Sequence, residues 1–290
     1  MSISPHTLNL YQKPAIGNSF IRRFPVYNYR HTIAAVGGFD TASCDIAIRS
    51  RDKGQQFLDQ YIGNRVAFYV DNPVAPIWEG FINRMSFSAG DVQYSISLDE
   101  MANKVRCVFV DPAVAATNPQ STTIVNNTTS QALYGIKMQS IDLGVQTVAA
   151  TTQAAIRDTV LAQRAFPKSS IVQGQGTGLL HIEMLGFYHT LSWETYIDTS
   201  IVSVQIGTYV NTLIGAVANG TTFFDNTDNT DISANAITIR PQSIRGDTFW
   251  DRLMMAQEVG DTTSYFVVGI SPTVFQTGTH RLYYRIQNTS

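Results

Sequence analysis

The clearest pattern in the chain is an alternation: Val92, Tyr94, Ile96 and Leu98 share one face, while Gln93, Ser95 and Ser97 share the other. A period of two marks a half-buried strand, and the polar face of this one carries no charge. Before it, residues 65–70 read as a strand, Asp71-Asn72-Pro73 as a turn and residues 77–82 as the returning strand of a hairpin. Earlier still, Phe57, Leu58, Tyr61 and Ile62 fall on one face of a short helix that Gly63-Asn64 closes.

Breakers then dominate residues 111–130, where Asp111-Pro112, Asn118-Pro119 and Asn126-Asn127-Thr128-Thr129 predict a boundary or an exposed loop. A helix follows over residues 153–165, with Ile156, Val160 and Leu161 as its stripe and Pro167 beyond its end. Leu180, Ile182 and Met184 next alternate with His181, Glu183 and Leu185, and this strand runs into Gly186 and onward to Trp193. That passage echoes residues 94–101, where a strand also runs into a short, helix-like segment. Further helices are predicted at residues 202–218, on Ile206, Val210, Leu213, Ile214 and Val217, and after Gly246-Asp247, on Phe249, Trp250, Leu253 and Met254. Strands are predicted at residues 236–240 and 265–270 and at Leu282, Tyr284 and Ile286. The expected class is α+β: two mainly antiparallel units, each with one or two packed helices. The first spans residues 1–110, a polar connection plus helix spans 111–175, and the second unit spans 176–290.

Composition narrows the function. Only 14% of residues are charged, against about 25% in a typical globular chain, so hydroxyls and amides must wet the surface, as in β-rich components of larger assemblies. A net charge of −2 lacks the basic footprint that grips phosphates, so DNA is expected only in passage. The amino terminus does not read as a secretory leader, and no apolar run approaches the roughly 18 residues that cross a bilayer, so no stable membrane insertion is expected. Cys44 and Cys107 sit in strand-like surroundings and read as buried thiols, with a disulfide between them left open.

Candidate chemistry is thin. The run from Asp225 to Asp231 clusters oxygen ligands but lacks the glycine (Thr230) and glutamate (Ala236) of an EF-hand loop, so a solvated turn is expected there. His181 and Glu183 share a strand face, with His189 further on, yet no third ligand at zinc spacing accompanies them; a polar sheet face or subunit contact is expected instead. Gly174, Gly176 and Gly178 lead into a strand, without the helix and lysine that cradle phosphate. Asp99, Glu100 and Glu258 offer carboxylates with no spacing to single them out. Neither a metal nor another cofactor is expected, and Trp78, Trp193 and Trp250 read as core.

Five stretches bear a family resemblance. Residues 37–46 (Gly-Gly-Phe-Asp-Thr-Ala-Ser-Cys-Asp-Ile) with Gly63-Asn64-Arg65-Val66 and Ile77-Trp78-Glu79-Gly80-Phe81-Ile82 resemble the first domain of the tail hub, or baseplate hub, proteins of tailed bacteriophages. The element from His181 to Trp193 and the later Gly246-Asp247-Thr248-Phe249-Trp250-Asp251-Arg252-Leu253 are similar to further parts of that family, over residues 35–286 in all. The resemblance implies a non-enzymatic virion protein of the tail tip, assembled in the host cytoplasm. Two tube-type β domains per subunit would form a homotrimeric, pseudo-hexameric ring that adapts sixfold to threefold symmetry. Its implied partners are a tail tube or distal tail protein, a tape measure protein and a spike or fibre protein, with spike and wall-degrading domains on other chains. Gln93, Ser95, Ser97, His181 and Glu183 are then candidates for the lumen or a subunit seam. Two competing readings remain: a tail-tip carbohydrate-binding module using exposed Trp193, Tyr188 and residues 225–231, and a peptidoglycan hydrolase using a carboxylate such as Glu100.

Overall fold

The computed structural model describes residues 3–17, 19–48, 50–69, 76–111, 120–145, 149–174, 176, 178–196, 203–220, 235, 237–240, 247–260, 264–269 and 281–286. It is α+β, with mostly antiparallel strands. Strands β1 (Ile3–Tyr11), β2 (Phe20–Ala34) and β3 (Gly37–Ala47) form a meander. The tight β2–β3 reversal relies on Gly37 and Gly38, whose φ values of 100° and 88° disfavour any residue with a Cβ. Helix α1 (Arg51–Tyr61) follows, its Ser50 cap accepting the Lys53 N–H and its Phe57 and Leu58 buried; it begins a few residues before the apolar stripe that predicts it. Then come β4 (Arg65–Tyr69), β5 (Trp78–Ala89), β6 (Val92–Ser97) and β7 (Lys104–Val110).

After β7 the chain makes the two-residue strands β8 (Gln120–Ser121) and β9 (Val125–Asn126), helix α2 (Thr128–Tyr134), β10 (Met138–Val145) and helix α3 (Ala150–Arg164). β7 and β10 pair in parallel, with β8 and β9 antiparallel to β7. The described part of the expected polar loop therefore belongs to a second, small sheet, and Asn127 serves as the cap of α2. Beyond it lie β11 (Lys168–Gln173), β12 (Leu179–Leu185), a 3-10 turn (Phe187–Ser192), β13 (Val204–Gln205), α4 (Ile206–Gly220), β14 (Thr238–Ile239), α5 (Phe249–Gly260), β15 (Ser264–Gly269) and β16 (Arg281–Ile286). The strand expected over residues 236–240 is reduced to the short β14, and residue 236 lies outside the described residues.

β12 decides the architecture. It pairs antiparallel with β3 on one side and β5 on the other, and the circuit β1-β2-β3-β12-β5-β4 returns to β1, a closed six-stranded barrel. The strand expected to open a second unit at residue 176 thus completes the first. The reason is apolar: Leu180, Ile182 and Met184 face Ile46, Cys44 and Ala42 of β3 and Phe87, Met85 and Ile82 of β5, all buried. Without β12, both flanking strands would present open edges and an uncovered apolar row. Gly80 permits the closure, because a side chain there would collide with the Leu185 carbonyl and the Trp78 indole.

β5 is long enough to serve two neighbours along one edge: residues 78–81 pair with β4, while residues 84–89 pair with β6. β6 and then β11 carry the sheet out of the barrel, and α1 packs on this extension, with Gly54 against the Phe87 ring. At the far end β15 runs parallel to β3 at Gly37 and Gly38 and pairs with β16. The small sheet docks through an ion pair of Lys104 with Glu194 and a hydrogen bond from the Met138 N–H to the Trp193 carbonyl (2.6 Å).

Candidate functional site

The two echoing strands turn out to be neighbours of one strand. β6 and β12 flank β5, so Ser97, Arg84 and Glu183 form one row across the sheet and Ser95, Ser86 and His181 the next, with Gln93 beside Ser88. The inward positions Met85, Phe87, Tyr94, Ile96 and Ile182 are buried, and alternation turns Gln93, Ser95, Ser97, His181 and Glu183 outward together, half-buried. All five candidates therefore share one face. β11 extends the rows with Lys168, Ser170 and Val172, and β3 extends them on the other side with Ser43 and Asp45.

On β5, β12 and β3 the charged side chains pair locally, while Lys168 of β11 is exposed at the edge of the face. Arg84 reaches Asp99 at 2.6 Å and Glu183 at 3.9 Å. His181 shares a 2.7 Å hydrogen bond with Asp45 through Nδ1 and approaches Glu183 at 3.7 Å through Nε2, while Asn28 donates to the second Asp45 oxygen at 2.7 Å. Burial alone would lift the Asp99 carboxyl, but hydrogen bonds from Asn83, Ser97 and Arg84, with the Arg84 charge, hold it below its ordinary range. The same bond and charge raise the Arg84 guanidinium. Where no charge lies, hydroxyls pair: Ser95 and Ser170 are 2.7 Å apart. Beside these rows, Arg30, His31, Ser43, Asn83, His181 and Glu183 line a shallow groove of about 350 Å³.

Arg84, Ser86, Ser88, Ser170 and Asp45 were not among the expected site residues. The signal for three of them was present, since Arg84, Ser86 and Ser88 alternate with Met85, Phe87 and Ala89 in the same period of two.

A second polar cluster sits where the 3-10 turn meets the β2–β3 hairpin. One oxygen of Asp40 accepts from the Tyr188 hydroxyl (2.6 Å) and bonds His189 Nε2 (2.9 Å), and the other accepts from Thr32 (3.1 Å). Burial would raise the Asp40 carboxyl, yet these bonds bring it below its usual value; burial and Asp40 push the Tyr188 phenol up. The arrangement pins the turn that follows β12. Tyr188 is also covered, by Trp250 at 5.0 Å and by the close approach of Gly37.

The remaining candidates stay apart. Trp193 is only 8% exposed, edge-on to Phe81 at 5.3 Å, so it offers no open face to a sugar. Residues 225–231 lie outside the described residues. Glu100 is exposed after β6 and Glu258 is exposed on α5. The backbone N–H groups of Gly174 and Gly178 are occupied by the Asp91 and Ser88 carbonyls. Cys44 and Cys107 are free and buried, and burial raises both thiols. Among the described residues, no three His, Cys, Asp or Glu side chains gather where they could hold a metal ion, and no helix is long and apolar enough to cross a membrane.

No protein-family profile, curated protein sequence or solved structure matches the chain.

Proposed function

We propose that this chain is a structural subunit of a phage tail tip, a hub that assembles as a homotrimeric ring around a channel for DNA. The observation that carries the reading is the outward face of β6, β5, β12 and β3: polar, rich in serine, with Arg84, Asp99 and Glu183 paired among themselves and His181 bonded to Asp45. A wall past which DNA slides must not neutralise phosphates, because each contact that releases counterions adds affinity and slows passage. Serine and glutamine hydroxyls and amides wet such a wall without holding the duplex.

In this reading Gln93, Ser95, Ser97, His181 and Glu183 line the lumen or a seam between copies, and no catalytic step is assigned to them. The barrel would be one tube-type unit, with β15 and β16 continuing its sheet at β3, and the second would draw on β13, β14, α4 and α5. Above the ring would sit a tail tube or distal tail protein, below it a spike or fibre protein, and through it would pass the tape measure protein and DNA.

Native mass spectrometry and electron microscopy of the purified chain test this. Three copies of the 32.0 kDa chain in a ring with an open centre are the expected result. A stable monomer at micromolar concentration, or a ring with Gln93, Ser95 and Ser97 on its outer wall, overturns it.

A further inference from the structure

The first 39 residues contain Lys13, Arg22, Arg23 and Arg30 and neither aspartate nor glutamate, in a chain whose net charge is −2. Most of this segment is the β1–β2 hairpin. Its end is compact: the Gln12 N–H donates to the Ser19 carbonyl (3.0 Å), and the Ile16 and Gly17 N–H groups donate to the Lys13 carbonyl (2.9 and 3.1 Å). Ile16, Phe20 and Ile21 are 56%, 54% and 40% exposed there. Arg22 and Arg23 follow directly and are also exposed.

The distribution of these side chains selects a partner. Phe20 and Ile21 are consecutive in β2 and so point to opposite sides of the strand, with Ile16 in the turn beyond them. The tip thus carries exposed apolar side chains on both sides of the strand, beside Ser19 and Lys13, with Arg22 and Arg23 behind them. A nucleic acid would engage the arginines and leave the apolar tip in water. A flat protein surface would cover one side of the strand only. An anionic bilayer accepts both features, since apolar side chains enter the boundary between headgroups and acyl chains while arginine forks take phosphate oxygens.

These basic side chains are held in place. Arg23 Nε donates to Asn9 (2.8 Å), the Arg22 guanidinium lies 5.3 Å from the Phe24 ring, and the Lys13 ammonium donates to the Gln60 carbonyl of α1 (3.0 Å), next to Asp59. We infer that the β1–β2 tip is a peripheral docking element for an anionic lipid surface, with Ile16, Phe20 and Ile21 inserted and Arg22 and Arg23 at the depth of the phosphates. The inference stands apart from the hub reading and does not need it.

Co-sedimentation of the full chain with vesicles tests it. Binding to vesicles containing phosphatidylglycerol, weakened by salt, and none to pure phosphatidylcholine is expected. Ile16→Ser with Phe20→Ser should abolish binding, and Arg22→Gln and Arg23→Gln should each weaken it about fivefold. Ile33→Ser, at a 60% exposed position near the other end of β2, should leave it unchanged. Coincident thermal unfolding of variants and wild type excludes misfolding as the cause. Equal binding to neutral vesicles, no binding to either, or retention by the Ile16/Phe20 variant overturns the inference. So does a change in native mass in that variant, which would make the tip a contact between copies. The hub reading is judged on the wild-type mass, so the two can fail separately.

Discussion

Lys137 shows how a single residue reports the packing between the two sheets. Its ammonium donates to the carbonyls of Leu98 (2.6 Å) and Asp99 (2.9 Å) and lies 5.3 Å from the Trp193 ring centroid. Burial, partly opposed by the Asp99 charge, pushes its pKa from 10.5 down to about 8. The folded chain therefore loses this proton before the unfolded chain does. Between pH 8 and 10.5 the unfolded state binds more protons, so stability rises with pH; below pH 8 both states are charged and the gain is absent. Lys13, also lowered by burial, adds the same sign. Tyr29 and Tyr188 are raised from 10.0 and so oppose it once the unfolded tyrosines begin to ionise. Cys44 and Cys107, raised from 9.0 by burial, oppose it as well, so the Lys137 contribution is read by difference: the urea midpoint of the wild type should gain on that of Lys137→Met as pH rises from 8 towards 10. A difference between the two proteins that stays constant with pH would mean that Lys137 is wetter than its contacts indicate.

At the scale of elements, β12 carries the largest consequence. The alternation that made it a strand is local, and so are the signals that place α1, α3 and α5 within a few residues of where they lie. Its neighbours are not local: Asp45 and His181 are 136 residues apart in sequence, and nothing in a window around either one specifies the other. Barrel closure is a property of apolar rows meeting across three strands, which is why residues 1–110 read as a complete unit while lacking one of its six walls. The same limit applies to the polar face. Gln93, Ser95 and Ser97 were legible as a stripe, and His181 and Glu183 as another; that Ser86 and Arg84 lie between the two stripes depends on pairing alone. The consequence is measurable. A fragment of residues 1–110 should lack cooperative unfolding by circular dichroism, and a peptide of residues 178–193 added in trans should restore it. Within the full chain, Ile182→Ala should cost about 2–5 kcal/mol, since Ile182 is fully buried between β3 and β5.

For the whole molecule, the scarcity of charge becomes a statement about place rather than amount. The chain holds 20 lysines and arginines against 22 acids, and on β5, β12 and β3 the charged groups are set against each other, Arg84 against Asp99 and Glu183, with His181 hydrogen-bonded to Asp45 and Lys168 at the β11 edge. If that face borders a DNA channel, adding unpaired cations to it should convert a passive wall into a binding surface. Ser86→Lys, Ser95→Lys and Ser97→Lys together place three cations on two adjacent rows. Each neutralised phosphate contributes about 0.9 to the slope of log affinity against log salt, so duplex binding by the triple variant should steepen by about 2.7 relative to wild type. Titration of labelled duplex DNA over a range of salt concentrations reads this directly. An unchanged slope in variants that keep the wild-type oligomeric state would show that DNA does not reach this face. A slope that steepens only in the dissociated chain would place the face in a seam between copies. The same three substitutions thus separate the two positions, lumen and seam, that the polar stripe can occupy.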